Sequence, residues 1–163
     1  MTSWRDSASG QSQDDLDGLL NVTLPFAQQM LAKSGEFYPF GAAVSADGGT
    51  RLLAGDPGQG EHPASPEVLY TLLAGLRQTR ADLRAVAICS DVGLADTDAV
   101  RVELEHRDGH AMAVLMPYKK KRFGRGLSTA SFGRAQRTGK SGREPQISTL
   151  PSPPPCSPQA PNP

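Results

Sequence analysis

Two carboxylates and a histidine near the end of the predicted domain are the side chains best placed for acid–base chemistry. Glu103 and Glu105 are two residues apart, so on a β-strand they share one face at a separation of about 7 Å. Paired carboxylates at such separations can act as general acid and base, and His110 follows just beyond an Asp-Gly turn. One hypothesis is therefore a small enzyme with these three side chains in a cleft. We favour the alternative, a solvated face on which Arg101 and Arg107 form salt bridges with the two acids, because charged residues mostly lie on protein surfaces.

A basic cluster with a phenylalanine inside it follows the last predicted strand. Its basic members are Lys119, Lys120, Lys121, Arg122 and Arg125. Such a cluster can contact phosphates, and we keep nucleic-acid binding through 119–143 as a hypothesis that a salt titration would test. The segment contains no element that reads base edges, so we do not expect nucleic acid to be the main partner.

Residues that hold metals or cofactors form no known pattern in this sequence. His62 lies in a predicted loop, and the predicted last hairpin places His106 and His110 on opposite faces of the sheet. No His or Cys spacing matches a structural metal site, and no glycine-rich nucleotide-binding loop occurs. We therefore expect no metal and no cofactor.

The net charge of zero is the sum of two unlike parts of the 163-residue chain. Residues 1–118 carry eight basic and 16 acidic side chains, whereas the remainder carries nine basic and one acidic. Eight of the 14 prolines lie in the last 19 residues, and such a composition is typical of disorder. We predict a disordered N-terminus over 1–13, one domain over 14–123 and a disordered, basic, proline-rich tail over 124–163.

The hydrophobic pattern of the domain predicts the element order α-β-β-α-β-β-β. A helical stripe of leucines precedes Gly35, and Pro25 inside this stripe should kink the helix or start a second one. Strand-like alternation then flanks Asp47-Gly48-Gly49, and Ser65-Pro66-Glu67 begins a second helix. The simplest solution is an α+β fold, a five-stranded antiparallel sheet with helices packed on it.

The last hairpin carries the main interaction hypothesis. A two-residue Asp108-Gly109 turn pairs Glu103 with Val114, so Met112, Val114 and Met116 would share the charged face of their neighbour. A strand that is apolar on both sides is usually covered on both sides. The cover would be the N-terminal helix, which we favour, the segment after Tyr118, or another protein.

An aromatic segment joins the first helix to the first strand. It contains Phe37, Tyr38 and Phe40, with Pro39 between the last two. We interpret it as an aromatic plug between the helix and the sheet. The functional alternative is one wall of a pocket or interaction surface.

Two segments resemble a family of small bacterial proteins of uncharacterised function. They are residues 24–42, with Glu36-Phe37-Tyr38-Pro39-Phe40-Gly41, and residues 100–118, which run from Val100-Arg101-Val102 to Pro117-Tyr118. The resemblance covers roughly 16–123 and implies no catalytic residues. The chain departs from that pattern after about Arg125, which suggests a shifted reading frame. The element order also resembles profilin-like folds, the group of roadblock and GAF-type domains, which host unrelated functions.

These observations favour a non-enzymatic module for protein–protein interaction or dimerisation. A homodimer or another protein is the expected partner. No stretch approaches the roughly 20 apolar residues of a membrane helix, and the polar N-terminus shows no secretory signal. We therefore expect a cytoplasmic protein without a membrane partner.

Overall fold

The computed structural model describes residues 4–58, 63–123, 127–132 and 136–138, and side chains from Arg5 to Lys119 within these ranges. In chain order the elements are α1 (Trp4–Ser7), α2 (Gly10–Ser34), β1 (Phe40–Ser45), β2 (Thr50–Ala54), α3 (Ser65–Gln78), a 3₁₀ turn (Arg80–Asp82), β3 (Leu83–Gly93), β4 (Asp98–His106), β5 (Ala111–Phe123), β6 (Leu127–Phe132) and β7 (Gln136–Thr138).

All strand pairs are antiparallel, in the order β2-β1-β3-β4-β5-β6, and β7 also pairs with β5. The predicted α+β fold, with five antiparallel strands and helices packed on them, is confirmed for β1 to β5. Within the segment predicted to be a disordered tail, the structure describes β6 and β7, and the rest of 124–163 lies outside the described residues.

Helix α2 covers one face of the sheet, which we call the inner face. Its buried stripe includes Leu16, Leu19, Ala27 and Leu31 at helical spacing. These side chains pack on inward-facing residues of β1, β3, β4 and β5 in one hydrophobic cluster. The N-terminal helix therefore covers β5, the strand that the sequence predicted to be the last one, as we favoured.

The ends of α2 follow capping chemistry, and the helix is longer than the sequence pattern predicted. The Ser9 hydroxyl accepts a hydrogen bond from the Ser12 N–H at 3.1 Å, and Gly35 ends the helix at φ 75°. Residues 4–13, predicted to be disordered, are largely helical, because the cap and the Arg5–Asp17 ion pair hold them. Pro25 lies inside one continuous helix rather than starting a second one.

Helix α3 covers only part of the opposite, outer face. Its buried residues are Val68, Leu72, Leu73 and Leu76. They pack on a cluster that includes Ala43 of β1 and side chains of β3. Among the described side chains, this cluster has no member from β4 or β5. Within the described residues, the core under α3 therefore does not extend over the outer face of β4 and β5.

The register of the β4–β5 hairpin differs from the prediction by one residue. The His106 N–H donates to the His110 carbonyl oxygen at 2.8 Å, and the Gly109 N–H donates to the His106 carbonyl oxygen at 2.9 Å. The loop therefore has three residues, with Gly109 in the left-handed region at φ 89°. Val102 then pairs with Val114. Because a one-residue slip exchanges the two faces of a strand, the prediction that Met112, Val114 and Met116 share the charged face is wrong.

Candidate functional site

A buried histidine lies at the point where α2, β3 and the β4–β5 hairpin meet. His106 is the last residue of β4 and faces inward, and its side chain has no exposed surface. Buried polar side chains need partners, and His106 has them on both ring nitrogens. We call His106 and its partners Ser12, Asp15, Arg84 and Asp108 the histidine cluster.

The Nδ1 side of His106 is connected to the hairpin loop and to the start of α2. The Asp108 backbone N–H donates to Nδ1 at 3.2 Å, and the Ser12 hydroxyl lies 3.3 Å from the same nitrogen. Ser12 donates its proton to the Asp108 carboxylate at 2.7 Å. This network assigns Nδ1 as an acceptor, which leaves the ring proton on Nε2.

The Nε2 side of His106 is connected to an ion pair between α2 and β3. Nε2 lies 3.3 Å from one Asp15 carboxylate oxygen, and Arg84 donates to the other at 2.6 Å. The side chains of Asp15 and Arg84 are 8% and 15% exposed. The cluster therefore fixes one end of α2 against two strands.

The loop carboxylate of the cluster has a shifted pKa. The hydrogen bond from the Ser12 hydroxyl is the largest cause that lowers the pKa of Asp108 below its ordinary value of 3.8, and the nearby positive charge of Arg107 acts in the same direction. Asp108 is therefore held as a carboxylate that accepts from α2.

The cluster contains the residue types of a nucleophile–base–acid triad, yet its geometry is that of a structural junction. The Ser12 side chain is fully buried, and its proton is already donated to Asp108. A serine nucleophile needs its hydroxyl directed at the base and at an accessible substrate. Ser12 meets neither requirement, so the observed role of the arrangement is to position the helix.

A cavity of about 220 Å³ lies on the other side of this junction. Its walls come from the end of α3, the 3₁₀ turn, the start of β3 and the β4–β5 hairpin. Leu76, Leu83 and Val86 form an apolar part, and Arg80 and Arg107 are charged members of the lining. Both His106 and His110 line it, which corrects the prediction that they lie on opposite sides of the sheet without a common site.

A second polar pair connects β5 to β3, away from the hairpin. The Tyr118 hydroxyl donates to the Asp91 carboxylate at 2.6 Å. Burial, and then this hydrogen bond, raise the pKa of Tyr118 above its ordinary value. Burial also raises the pKa of the Cys89 thiol, so this cysteine is not activated as a nucleophile. Cys89 is buried in the cluster under α2, where it packs as a small hydrophobic residue.

The predicted interaction residues of β5 lie on the inner face beneath α2. Val114 and Met116 are buried in the cluster under α2, and Met112 packs against it partly buried. The Met116 sulfur accepts a hydrogen bond from the Gln28 side-chain amide at 3.2 Å. These three side chains therefore pack within the chain itself.

The predicted aromatic segment divides into a core part and an exposed residue. Phe37 and Phe40 are buried, with ring centroids 5.7 Å apart, and Phe26 of α2 stacks edge-on against Phe40 at 5.0 Å. Tyr38 is 44% exposed. The phenylalanines therefore form the plug between α2 and the sheet, as we interpreted them.

The predicted acid–base residues are divided between the open sheet face and the cavity. Glu103 forms an ion pair with Arg101, whereas Glu105 and His110 line the cavity. Lys119 is exposed. The other predicted nucleic-acid residues, Lys120, Lys121, Arg122 and Arg125, have side chains outside the described part of the structure.

The sequence reasoning missed Ser12, Asp15 and Arg84. A signal for the first two was present, because both occupy the apolar stripe that Leu16 and Leu19 continue. A polar residue on such a stripe indicates a buried partner. Over the described ranges, no group of three or more His, Cys, Asp or Glu side chains is arranged to hold a metal ion.

Comparison with protein-family models, with curated proteins and with solved structures finds no match for this chain. The resemblances to a bacterial family and to profilin-like folds therefore stay predictions. No helix within the described ranges is long and apolar enough to cross a bilayer.

Proposed function

We propose that this chain is a non-enzymatic protein-interaction module that forms a homodimer through the outer face of β4 and β5. We call this surface the open face and define it by Arg101, Glu103, Ala113, Leu115 and Pro117. The observation that carries the proposal is that the hydrophobic cluster under α3 has members from β1 and β3 and, among the described side chains, none from these two strands.

The composition of the open face suits contact with another protein. Ala113, Leu115 and Pro117 are half-buried and lie side by side along β5. Arg101 and Glu103 lie beside them on β4, in register with Leu115 and Ala113. An apolar strip next to a charged row is the arrangement of an interface with a hydrophobic centre and a polar rim.

The charged row favours a second copy of this chain as the partner. In a two-fold symmetric interface, residue i of one copy contacts residue j of the other and the reverse. Arg101 and Glu103 are two positions apart on one strand and carry opposite charges. A two-fold axis between them would bring each arginine opposite the glutamate of the other copy. Two identical copies would then have complementary charges across the interface.

Light scattering coupled to size-exclusion chromatography tests this proposal. We expect the full chain to elute with about twice its mass of 17.3 kDa, and Leu115→Glu to elute as a monomer, because the substitution places a charge in the apolar strip. The matched control is Tyr70→Glu, since Tyr70 is 59% exposed on α3 and should leave the dimer intact. A wild-type monomer, or a Leu115→Glu dimer, would contradict the proposal.

A charge exchange separates a symmetric dimer from other modes of association. Arg101→Glu alone should weaken the dimer by about tenfold or more, because like charges then face each other across the interface. The double variant Arg101→Glu with Glu103→Arg should restore it, since the pairing is regained in reverse. If the double variant dimerises no better than the single one, the two residues do not face each other across a two-fold axis.

The proposal includes a cytoplasmic location, and the free thiol of Cys89 is compatible with a reducing compartment. Cell fractionation tests this part. The enzyme and nucleic-acid hypotheses stay predictions, and only the enzyme hypothesis gains a supporting observation, the cavity beside Glu105 and His110.

A further inference from the structure

The cavity beside the hairpin collects positive charge within an acidic domain. Its lining includes Arg80, Arg84, Arg107 and His110, and Glu105 is its one acidic member among the described residues. Residues 1–118 carry only eight lysines and arginines against 16 acids. Three of those eight basic residues therefore lie around one cavity, against a single acid.

Two of these cations form no ion pair with the side chains that the structure describes. Arg84 is paired with Asp15, whereas neither Arg80 nor Arg107 forms a side-chain ion pair within the described ranges. The buried Arg84 Nε–H has no acceptor there either. A buried donor without an acceptor is rare in proteins, and this one belongs to a residue of the cavity lining.

The remaining walls set the size and the polarity of the ligand. Leu76, Leu83, Val86 and Ala111 contribute apolar surface. The volume of about 220 Å³ is below the range of about 300–1,000 Å³ that is typical of sites for drug-sized molecules. Glu105 would oppose a second negative charge on the ligand, so a monoanion fits better than a dianion.

From this combination we propose that the cavity binds a small organic carboxylate with a compact apolar body. The guanidinium groups of Arg80 and Arg107 hold the carboxylate, because arginine pairs with carboxylates in a planar, two-pronged geometry. The apolar body lies against Leu76 and Val86. This site has no residue in common with the open face, and the proposal does not rest on the dimer.

Titration of the full chain with benzoate, followed by amide NMR, tests the proposal directly. We expect saturable shifts at His110 and Ala111, with a dissociation constant in the millimolar range. Benzamide, which has the same shape without the charge, should bind at least about tenfold more weakly, and inorganic phosphate should bind more weakly than benzoate. Equal affinity for benzamide would overturn the proposal, as would the absence of saturation or saturable shifts confined to other residues. Tighter binding of phosphate than of benzoate would overturn the assignment to a carboxylate.

Variants assign the binding to the cavity arginines. Both Arg80 and Arg107 are exposed, so Arg80→Gln and Arg107→Gln should fold, and each should weaken benzoate binding about tenfold. Arg51→Gln is the matched control, because Arg51 is exposed on β2 and does not line the cavity. If Arg51→Gln weakens binding as much as Arg107→Gln, the attraction is that of overall charge and the proposed site is wrong.

Discussion

Five polar side chains of the histidine cluster connect three elements that are distant in sequence. Ser12 and His106 are 94 positions apart, and Arg84 and Asp15 are 69 apart. Each partner satisfies another that would otherwise be buried without a hydrogen bond. The cluster therefore selects one placement of α2 along the sheet, which an apolar stripe alone does not specify.

Removal of the Ser12 hydroxyl should raise the pKa of Asp108. That hydroxyl is the largest cause of the lowered value, so Ser12→Ala should return the pKa toward 3.8. A carbon-detected NMR titration of the Asp108 carboxyl measures it, with Ser34→Ala at the other end of α2 as control. An unchanged pKa in Ser12→Ala would mean that the hydrogen bond contributes little in solution.

The lowered pKa of Asp108 also makes the stability of the folded chain depend on pH. Because the pKa of Asp108 is lower in the folded chain than in the unfolded one, the carboxylate contributes stability at neutral pH. That contribution is lost as the pH falls below the ordinary value and through the lowered pKa. We therefore expect the free energy of unfolding of wild type to fall below about pH 4, and to fall less steeply in Ser12→Ala.

At the scale of elements, one loop approaches α3 so closely that only glycine fits. A Cβ at Gly55, just after β2, would overlap the Val68 carbonyl oxygen and lie 3.1 Å from the Leu72 nitrogen. Both atoms belong to the helix backbone, which cannot move without displacing α3. The loop between β2 and α3 can therefore approach the helix this closely only because position 55 has no side chain.

Gly55→Ala should destabilise the fold by about 1–3 kcal/mol, because the methyl group forces the loop and the helix apart. Gly75→Ala is the matched control, since a Cβ at Gly75 has nothing within 4 Å. Alanine in place of an exposed helical glycine should instead stabilise by up to about 1 kcal/mol. Urea unfolding of both variants measures the difference, and equal midpoints would refute the close approach.

The types of the elements were predictable from the sequence, whereas the register of the β4–β5 hairpin and the histidine cluster were not. The leucine stripe of α2 and the alternation around Val102 reflect burial directly. The hairpin register depended on whether Arg107 belongs to the strand or to the loop, and Asp108-Gly109 suits loops of two or three residues. The partners of Asp15 come from β3 and β4, and no local pattern in a single sequence specifies such distant pairs.

At the scale of the whole molecule, the two faces of the sheet are covered unequally. Helix α2 packs over β1, β3, β4 and β5, whereas α3 packs on β1 and β3. Among the described residues, the outer face of β4 and β5 lies outside the cluster under α3, which is the basis of the proposed dimer. On the far edge of β5, the strands β6 and β7 continue the sheet.

Deletion of 127–163 should lower the melting temperature, because it removes two strands that pair with β5. Cross-strand pairs contribute about 0.2–1 kcal/mol each, so we expect a loss of about 2 kcal/mol or more and a fall of about 4 °C or more. Deletion of 139–163, which removes neither strand, is the control. Calorimetry that gives equal melting temperatures for wild type and the 127–163 deletion would show that this part of the chain is not needed for the fold.

The number of residues in the loop at 107–109 also helps to determine which side chains of β5 reach the core. Loss or gain of a single residue there would require a different turn type; if the three-residue loop were kept instead, the register would slip by one residue and Val114 and Met116 would face outward. Surface loops usually tolerate insertions and deletions, but this one should not. Relatives of this chain should therefore keep the loop at a constant length while its residues vary, apart from the glycine at 109, whose positive φ of 89° few other residues adopt.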